Sequence, residues 1–560
     1  MNYLREHGST KVTPQSEPMR ADQVENSAGG YAWQPDTLDR LKRFLILGAE
    51  GGTFYVGERD FVRSQVRALA EVCGTGEIAT EAVELIVAIS DGGRAKSNDP
   101  ALFALAYITA NAPAPSRAYA YEALPKVART STHLFHFVAF REGFAGWGRG
   151  MRRAVSRWYT ERTPYSLALQ LVKYRQRDGW THRDVLRLAH PEPTGGPGDA
   201  LIEFAVKGAL GEKLTSGPIA TEFNEARGLV EAYELAQRPE CSAAEAAALV
   251  RASNLPREAL KPEHLKDPEV WRALLVDMRP EALLRNLAVM TRNGTLKPLS
   301  PVEETIATKL ADAEFVRGSR LHPLSVLNAQ VTYASGGNIG FSRAEPYMPS
   351  NAVVASLDTA FHNAFENVEP SGKRFLLGLD VSGSMGNPIS GSTVLSCRDA
   401  AAAMALVTAK TEPWMHAVAF TAQGESFGPT SRYYGRQSDG VIPFPMAHSS
   451  NLRDVTQQMD SLPFGGTDCT LPMLYAEAHG LTVDCFVVYT DNETWAGSIH
   501  PAEALRKYRA STGIDAKLVV VSMTASDFTI ADPRDPGMLD VVGFDTATPS
   551  LISAFARGDL

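Results

Sequence analysis

At 560 residues the chain is too long for one hydrophobic core, and its 44% hydrophobic and 21% charged composition excludes a disordered or fibrous protein. A formal net charge of −9 predicts weak attraction to nucleic acid if charge were evenly spread, so any such binding needs a local basic patch. Five scattered cysteines, Cys73, Cys241, Cys397, Cys469 and Cys485, form no CxxC pair, which argues against a disulfide framework or a zinc site. The first residues lack the apolar core of a signal peptide, and the most apolar run, from Ala101, is too short to cross a bilayer. A cytoplasmic protein without membrane contact is expected.

Residues 1–28 are polar and carry no apolar period, which predicts a mobile tail. Residues 29–360 are expected to form an all-α module, because helical signals succeed one another from about Asp36 to Tyr333 without a sustained strand alternation. Within it, thirteen Lys and Arg stand against four Asp and Glu between Lys126 and His190. Arg149, Arg152, Arg153 and Arg157 recur at helical spacing and predict one basic face, and Lys173 with Arg177 predicts a second. Thr181 and Asp184 have capping-box spacing, after which Arg183, Arg187 and His190 lie opposite Val185, Leu186 and Ala189. Such faces neutralise phosphates with counterion release, while His190, Trp180 or Tyr174 are placed to stack on or hydrogen-bond unpaired bases. One charged helix face is ordinarily just solvated; three in succession point to structured or single-stranded RNA. His133, His136, Trp147 and Trp158 sit among apolar neighbours and read as packing residues. Further on, Asp267-Pro268 reads as an N-cap and first helical residue, and the apolar sets Trp271, Leu274, Leu275, Met278 and Leu283, Leu284, Leu287, Met290 predict a helical hairpin. Helix density, not a visible repeat, suggests stacked helical pairs.

A Gly- and Pro-bearing stretch from Ala334 to Pro349 breaks this pattern, and residues 361–560 have another character. Apolar runs Phe375–Leu379, Ala417–Phe420, Cys485–Tyr489 and Leu518–Val521 alternate with helical segments and predict a doubly wound α/β domain. The first run ends in Asp380-Val381-Ser382-Gly383-Ser384, at the carboxyl end of a strand where such sheets place ligands. Mg²⁺ takes about six hard oxygens, so two hydroxyls and carboxylates suit it, with Thr467 and Asp491 as the remaining donors. With hydroxyls in its inner shell the cation keeps electrophilic character towards an acidic ligand. The set Asp380, Ser382, Ser384, Thr467 and Asp491 resembles the metal-ion-dependent adhesion site of von Willebrand A domains in type and order.

Longer stretches extend the likeness: GYAWQPDTLDRLKRFLILGAEGGTFYVGE from Gly30, THLFHFVAF from Thr132, KYRQRDGWTHRDVLRLAH from Lys173, GKRFLLGLDVSGSM from Gly372, GGTDCTLPM from Gly465 and FTIADPRDPGMLDVVGFDT from Phe528. From about Gly30 onwards the chain resembles the Ro autoantigen family, ribonucleoproteins in which a TROVE module of ring-closed HEAT-like helices precedes a von Willebrand A domain. The resemblance implies a small Y-type non-coding RNA on the outer basic surface and single-stranded ends of misfolded RNA in the ring. It implies RNA contacts at Lys173, Arg177 and His190, to which helix geometry adds Arg149, Arg152, Arg183 and Arg187. A bacterial member would also have an exoribonuclease partner and act in RNA quality control, and a closed ring would make a monomer. The alternative is a metal-dependent protein-binding adaptor in which RNA is secondary. A hydrolase would need Glu493 as general base, since no His is near in sequence, and no catalytic residue is expected.

Overall fold

The computed structural model describes residues 12–48, 66–208, 220–318, 321–337, 345–365, 369–389, 394–422, 440–462 and 465–559. In the first half, helices two apart in sequence pack on each other: Gly76–Asp91 on Ala114–Val127, and Asp99–Asn111 on Ser131–Phe144. That layering of paired helices is what an α-solenoid requires, because each pair buries its apolar stripe only against the next. The expected caps form. Asp267 accepts from the Glu269 N–H ahead of the Pro268–Leu275 helix, and Trp271, Leu274, Leu275 and Met278 are buried. Leu283, Leu284, Leu287 and Met290 are buried in turn along Pro280–Arg292.

The two ends of the helical run meet. His322 caps the Pro323–Ala334 helix, its Nδ1 accepting from the Leu324 N–H, and its Nε2–H reaches the carbonyls of Arg94 at 3.2 Å and Phe544 at 2.7 Å. An early loop, a late helix and the C-terminal domain are thus joined at one buried imidazole.

Among the described residues the second half is a six-stranded sheet whose strands, numbered along the chain, are β5 Arg374–Asp380, β6 Trp414–Phe420, β7 Val441–Pro443, β8 Cys485–Thr490, β9 Lys517–Ser522 and β10 Met538–Val542. Their order in the sheet is β10-β9-β8-β5-β6-β7. All pairs are parallel except the antiparallel edge β6–β7. Side chains alternate between two covered faces, as a parallel sheet demands. Leu377, Leu379, Val487, Tyr489, Val519 and Val521 face one core, while Leu376, Phe486, Val488, Leu518 and Val520 face the other. Asp380 closes β5 at the carboxyl edge of the sheet.

The expected mobile tail is corrected from residue 12 onwards. Gln15 and Asn26 are buried, β1 Gln23–Glu25 pairs antiparallel with β2 Tyr31–Trp33, and Trp33 exchanges backbone hydrogen bonds with Thr529 at 2.9 and 2.7 Å. Trp33 lies in the second core of the sheet, with Met19 against it. Polar composition misled here because the segment is held by side-chain hydrogen bonds and one aromatic anchor rather than by an apolar period.

The halves are also joined by buried charge. Arg43, 1% exposed, donates to the carbonyls of Ser526 and Phe528, each at 2.7 Å, and pairs with Asp540; Arg94 pairs with Asp545.

Candidate functional site

Three basic segments lie side by side. Ser156 on the Arg149–Thr160 helix donates to the Ala189 carbonyl at 3.2 Å. Buried His182, at the start of the His182–Ala189 helix, accepts from the Tyr159 hydroxyl and donates to the Tyr174 carbonyl, both at 2.9 Å. Burial pushes that imidazole down to about 4, so it acts as a neutral strut. Trp158 is buried with its indole N–H on the Ala128 carbonyl at 2.5 Å. On this scaffold Arg149, Arg152, Arg153, Arg183, Arg187 and His190 are exposed, while Met151, Ala154, Val155, Val185, Leu186 and Ala189 are buried. Arg157 is half-buried and donates to the Tyr121 carbonyl at 3.3 Å. The capping box of Thr181 and Asp184 forms, and His190 ends its helix at φ 49°, in the left-handed region.

One expected face is corrected. Lys173 and Arg177 do not share a helix, because the Pro164–Lys173 helix ends at Lys173. Arg177 instead lies in a hairpin of β3 Gln176–Arg177 and β4 Trp180–Thr181. Its turn, Asp178-Gly179, has φ values of 51° and 79°, the pair of positive angles that a tight two-residue hairpin demands. The Lys173 ammonium stands 5.1 Å from the Tyr174 ring centroid. The Arg177 Nε–H donates to His136 Nε2 at 3.3 Å, and His136 Nδ1 faces Asp99 at 3.3 Å. His136 is therefore a neighbour of the basic surface, whereas His133 is a packing residue whose titration burial pushes down to about 3. Trp180 is half-buried, its ring centroid 6.2 Å from that of Trp147.

At the sheet edge Asp380, Ser382, Ser384, Thr467 and Asp491 are all buried. Asp380 accepts from the Ser382 N–H at 2.8 Å and from the Thr490 hydroxyl at 2.6 Å, and the Ser382 and Ser384 hydroxyls are 3.1 Å apart. Burial and Asp380 together push Asp491 up to about 7, and burial and Asp491 push Glu493 up to about 8. Two enclosed carboxylates that raise one another's affinity for positive charge, three hydroxyls, and no imidazole form a hard-oxygen set. Thr467 Oγ1 is buried without a hydrogen-bond partner among the described residues. A buried hydroxyl left so is costly unless a ligand completes it. The residues present therefore fit a small divalent cation such as Mg²⁺.

Known sequences sharpen this picture. A family model described as the TROVE domain matches residues 24–221 and 254–335, and one described as the Ro60 vWA domain matches residues 374–556. The chain belongs to the Ro60 family. It is 40% identical to the RNA-binding protein RO60 of Deinococcus radiodurans, over 98% of both chains. It is 34% identical to the RNA-binding protein RO60 of Caenorhabditis elegans, over 98% of this chain and 92% of that one. Among solved structures it resembles the Deinococcus radiodurans RO (RSR) protein, with a TM-score of 0.65 and 38% identity, covering 94% of this chain and 100% of that chain.

Sequence reasoning missed several residues around this sheet-edge cluster. Thr490 binds Asp380, and Gln15 and Ala28 reach the loops that carry Thr467 and Asp491 from more than 400 residues away. The signal for Thr490 was present, as the residue before Asp491 at a strand end. Nothing local marks Gln15. No helix among the described residues is long and apolar enough to cross a membrane.

Proposed function

We propose that this chain is a non-catalytic RNA-binding protein whose exposed basic surface holds a small non-coding RNA of the Y type. Lys173, Arg177 and His190 are its central contacts, with Arg183, Arg187, Arg149 and Arg152 extending the track. The observation that carries the reading is that three adjacent segments of an acidic protein turn their cationic side chains outward on a scaffold of buried neutral struts. The relatives' name, RNA-binding protein, supports it. Single-stranded ends of misfolded RNA would enter the ring, and an exoribonuclease would act on RNA delivered by this protein. We assign the protein to the cytoplasm and to RNA quality control, as a monomer.

In the same reading Asp380, Ser382, Ser384, Thr467 and Asp491 hold Mg²⁺, which supplies an electrophilic position for the carboxylate or phosphate of an acidic ligand. Asp380 and Asp491 balance its charge, and the hydroxyls orient around it. The buried Asp pair and the Thr467 hydroxyl, unpartnered among the described residues, favour a second, compatible reading of the α/β domain as a metal-dependent protein-binding adaptor.

The test is to purify the protein from its host, sequence the RNA that accompanies it, and repeat this with Lys173, Arg177 and His190 all changed to Ala. Loss of a discrete small RNA from the folded variant is the expected result. Affinity should also fall with salt, with a log–log slope of about −0.7 to −0.9 per phosphate neutralised, and the variant should show a shallower slope. Equal RNA on both proteins, or none on either, rejects the basic surface and leaves the adaptor reading.

A further inference from the structure

The two loops that carry Thr467 and Asp491 are joined by a side chain from the opposite end of the sequence. The Gln15 carboxamide is wholly buried and uses both its donors and its acceptor. Its Nε2 donates to Asp468 Oδ1 at 2.9 Å and to the Ile499 carbonyl at 3.0 Å. Its Oε1 accepts from the Thr494 hydroxyl at 2.6 Å and from the Gly497 N–H at 3.1 Å. Asp468 adjoins Thr467 in sequence, and Thr494 follows Asp491 by three residues. Between the loops themselves, the Trp495 and Ala496 N–H groups both donate to the Thr467 carbonyl, at 3.1 and 3.0 Å.

The rest of the segment seats this carboxamide. The Gln15 N–H donates to the Gly497 carbonyl at 3.0 Å, and the Asn26 side chain donates to the Thr494 carbonyl at 2.8 Å. The Ala28 N–H donates to the Glu493 carboxylate at 3.1 Å. A Cβ on Gly30 would stand 2.0 Å from the Thr494 carbonyl oxygen, so only glycine lets the strap lie this close. At Gly497, a Cβ would meet Gln15 Nε2 at 2.3 Å.

We infer that Gln15 is a positioning residue for the divalent-cation site, its carboxamide stapling the Thr467 loop to the Asp491 loop so that the two ligands are presented together. This rests on the reading of that site as a cation site. Hydrogen-bonding groups behind metal ligands set ligand orientation, and their loss typically weakens metal binding about 10- to 100-fold. Gln15→Met fills similar space and makes none of the four bonds.

The experiment measures Mn²⁺ binding by titration calorimetry on the full, RNA-free chain, with thermal melting recorded beside it. Gln15→Met, one step removed from the ligands, is expected to weaken Mn²⁺ binding about 10-fold, the low end of the range for groups bonded directly to a ligand. Arg20→Ala loosens the same strap by removing the Arg20–Asp532 ion pair, far from the ligands in the chain, and should lower the melting temperature while leaving Mn²⁺ affinity unchanged. Wild-type affinity in folded Gln15→Met overturns the proposal, as does an equal loss in Arg20→Ala, which would reduce the strap to a cover. Should Gln15→Met fail to fold, Thr494→Val against Thr494→Ser carries the test. The serine retains the hydroxyl on Gln15 and should bind as wild type, the valine should bind more weakly, and equal affinities overturn the proposal. If the wild-type chain binds no Mn²⁺, the cation-site reading itself falls and the staple with it.

Discussion

Asp380 and Asp491 are both buried at the sheet edge, and the charge of Asp380 helps raise the Asp491 carboxyl, a repulsion that a divalent ion bound to both would relieve. Anything that binds only the folded state stabilises it, by about 2.7 kcal/mol at a hundredfold excess over its Kd. Saturating Mg²⁺ should therefore raise the melting temperature of the wild-type chain. In Asp380→Asn the cation response should vanish, while the melting temperature in chelator stays the same or rises because the carboxylate repulsion is gone. A Mg²⁺-dependent rise of wild-type size in Asp380→Asn would reject Asp380 as a ligand. At this scale the candidate set was legible as a cluster, because type, order and strand-end position all point to the one sheet edge where the five side chains are buried. Gln15 was not, since a carboxamide that binds across the fold leaves no periodic trace, and Thr490 was marked only by its place before Asp491 at a strand end.

The β3–β4 hairpin sets the direction of Arg177, and its Gly179 sits at φ 79°. Forcing a side chain into that region costs roughly 1–2 kcal/mol. Gly179→Ala should weaken RNA binding several-fold through misplacement of Arg177 while leaving the melting of the whole chain nearly unchanged. Wild-type RNA affinity in that variant would show that the hairpin does not position the contact. Losing the cap in Thr181→Ala should cost about 1 kcal/mol of local helix stability, visible as faster amide exchange along His182–Ala189. The hairpin was hidden in the sequence because Lys173 and Arg177 have helical spacing, and the Asp-Gly turn outweighs four residues' worth of helix propensity. The long strands and the capped helices were legible for the opposite reason: in Phe375–Leu379 or Cys485–Tyr489 composition, length and flanking turns point the same way.

Across the whole molecule, the buried imidazoles predict acid sensitivity. Burial lowers His322 from 6.5 to about 4, and its Nδ1 must remain unprotonated to accept from Leu324. A group whose pKa falls on folding contributes stability that is intact above its unfolded value and lost as pH drops towards the folded one. The window is therefore about pH 6.5 to 4, and His322 alone should remove about 2 kcal/mol between pH 7 and pH 5. Urea midpoints at both values should show a smaller pH drop in His322→Gln than in wild type; an equal drop would assign the sensitivity to other imidazoles that burial lowers, among them His133, His182 and His362. Because the residues 12–33 that complete the sheet's second core precede the helical array in the chain, the array is in effect an insertion within the α/β domain. A ribosome must therefore deliver the entire solenoid before the domain it interrupts can close, and a fragment beginning at 361 would leave the place of Trp33 open. A working minimal domain would have to be made by splicing 12–33 to the later half through a linker.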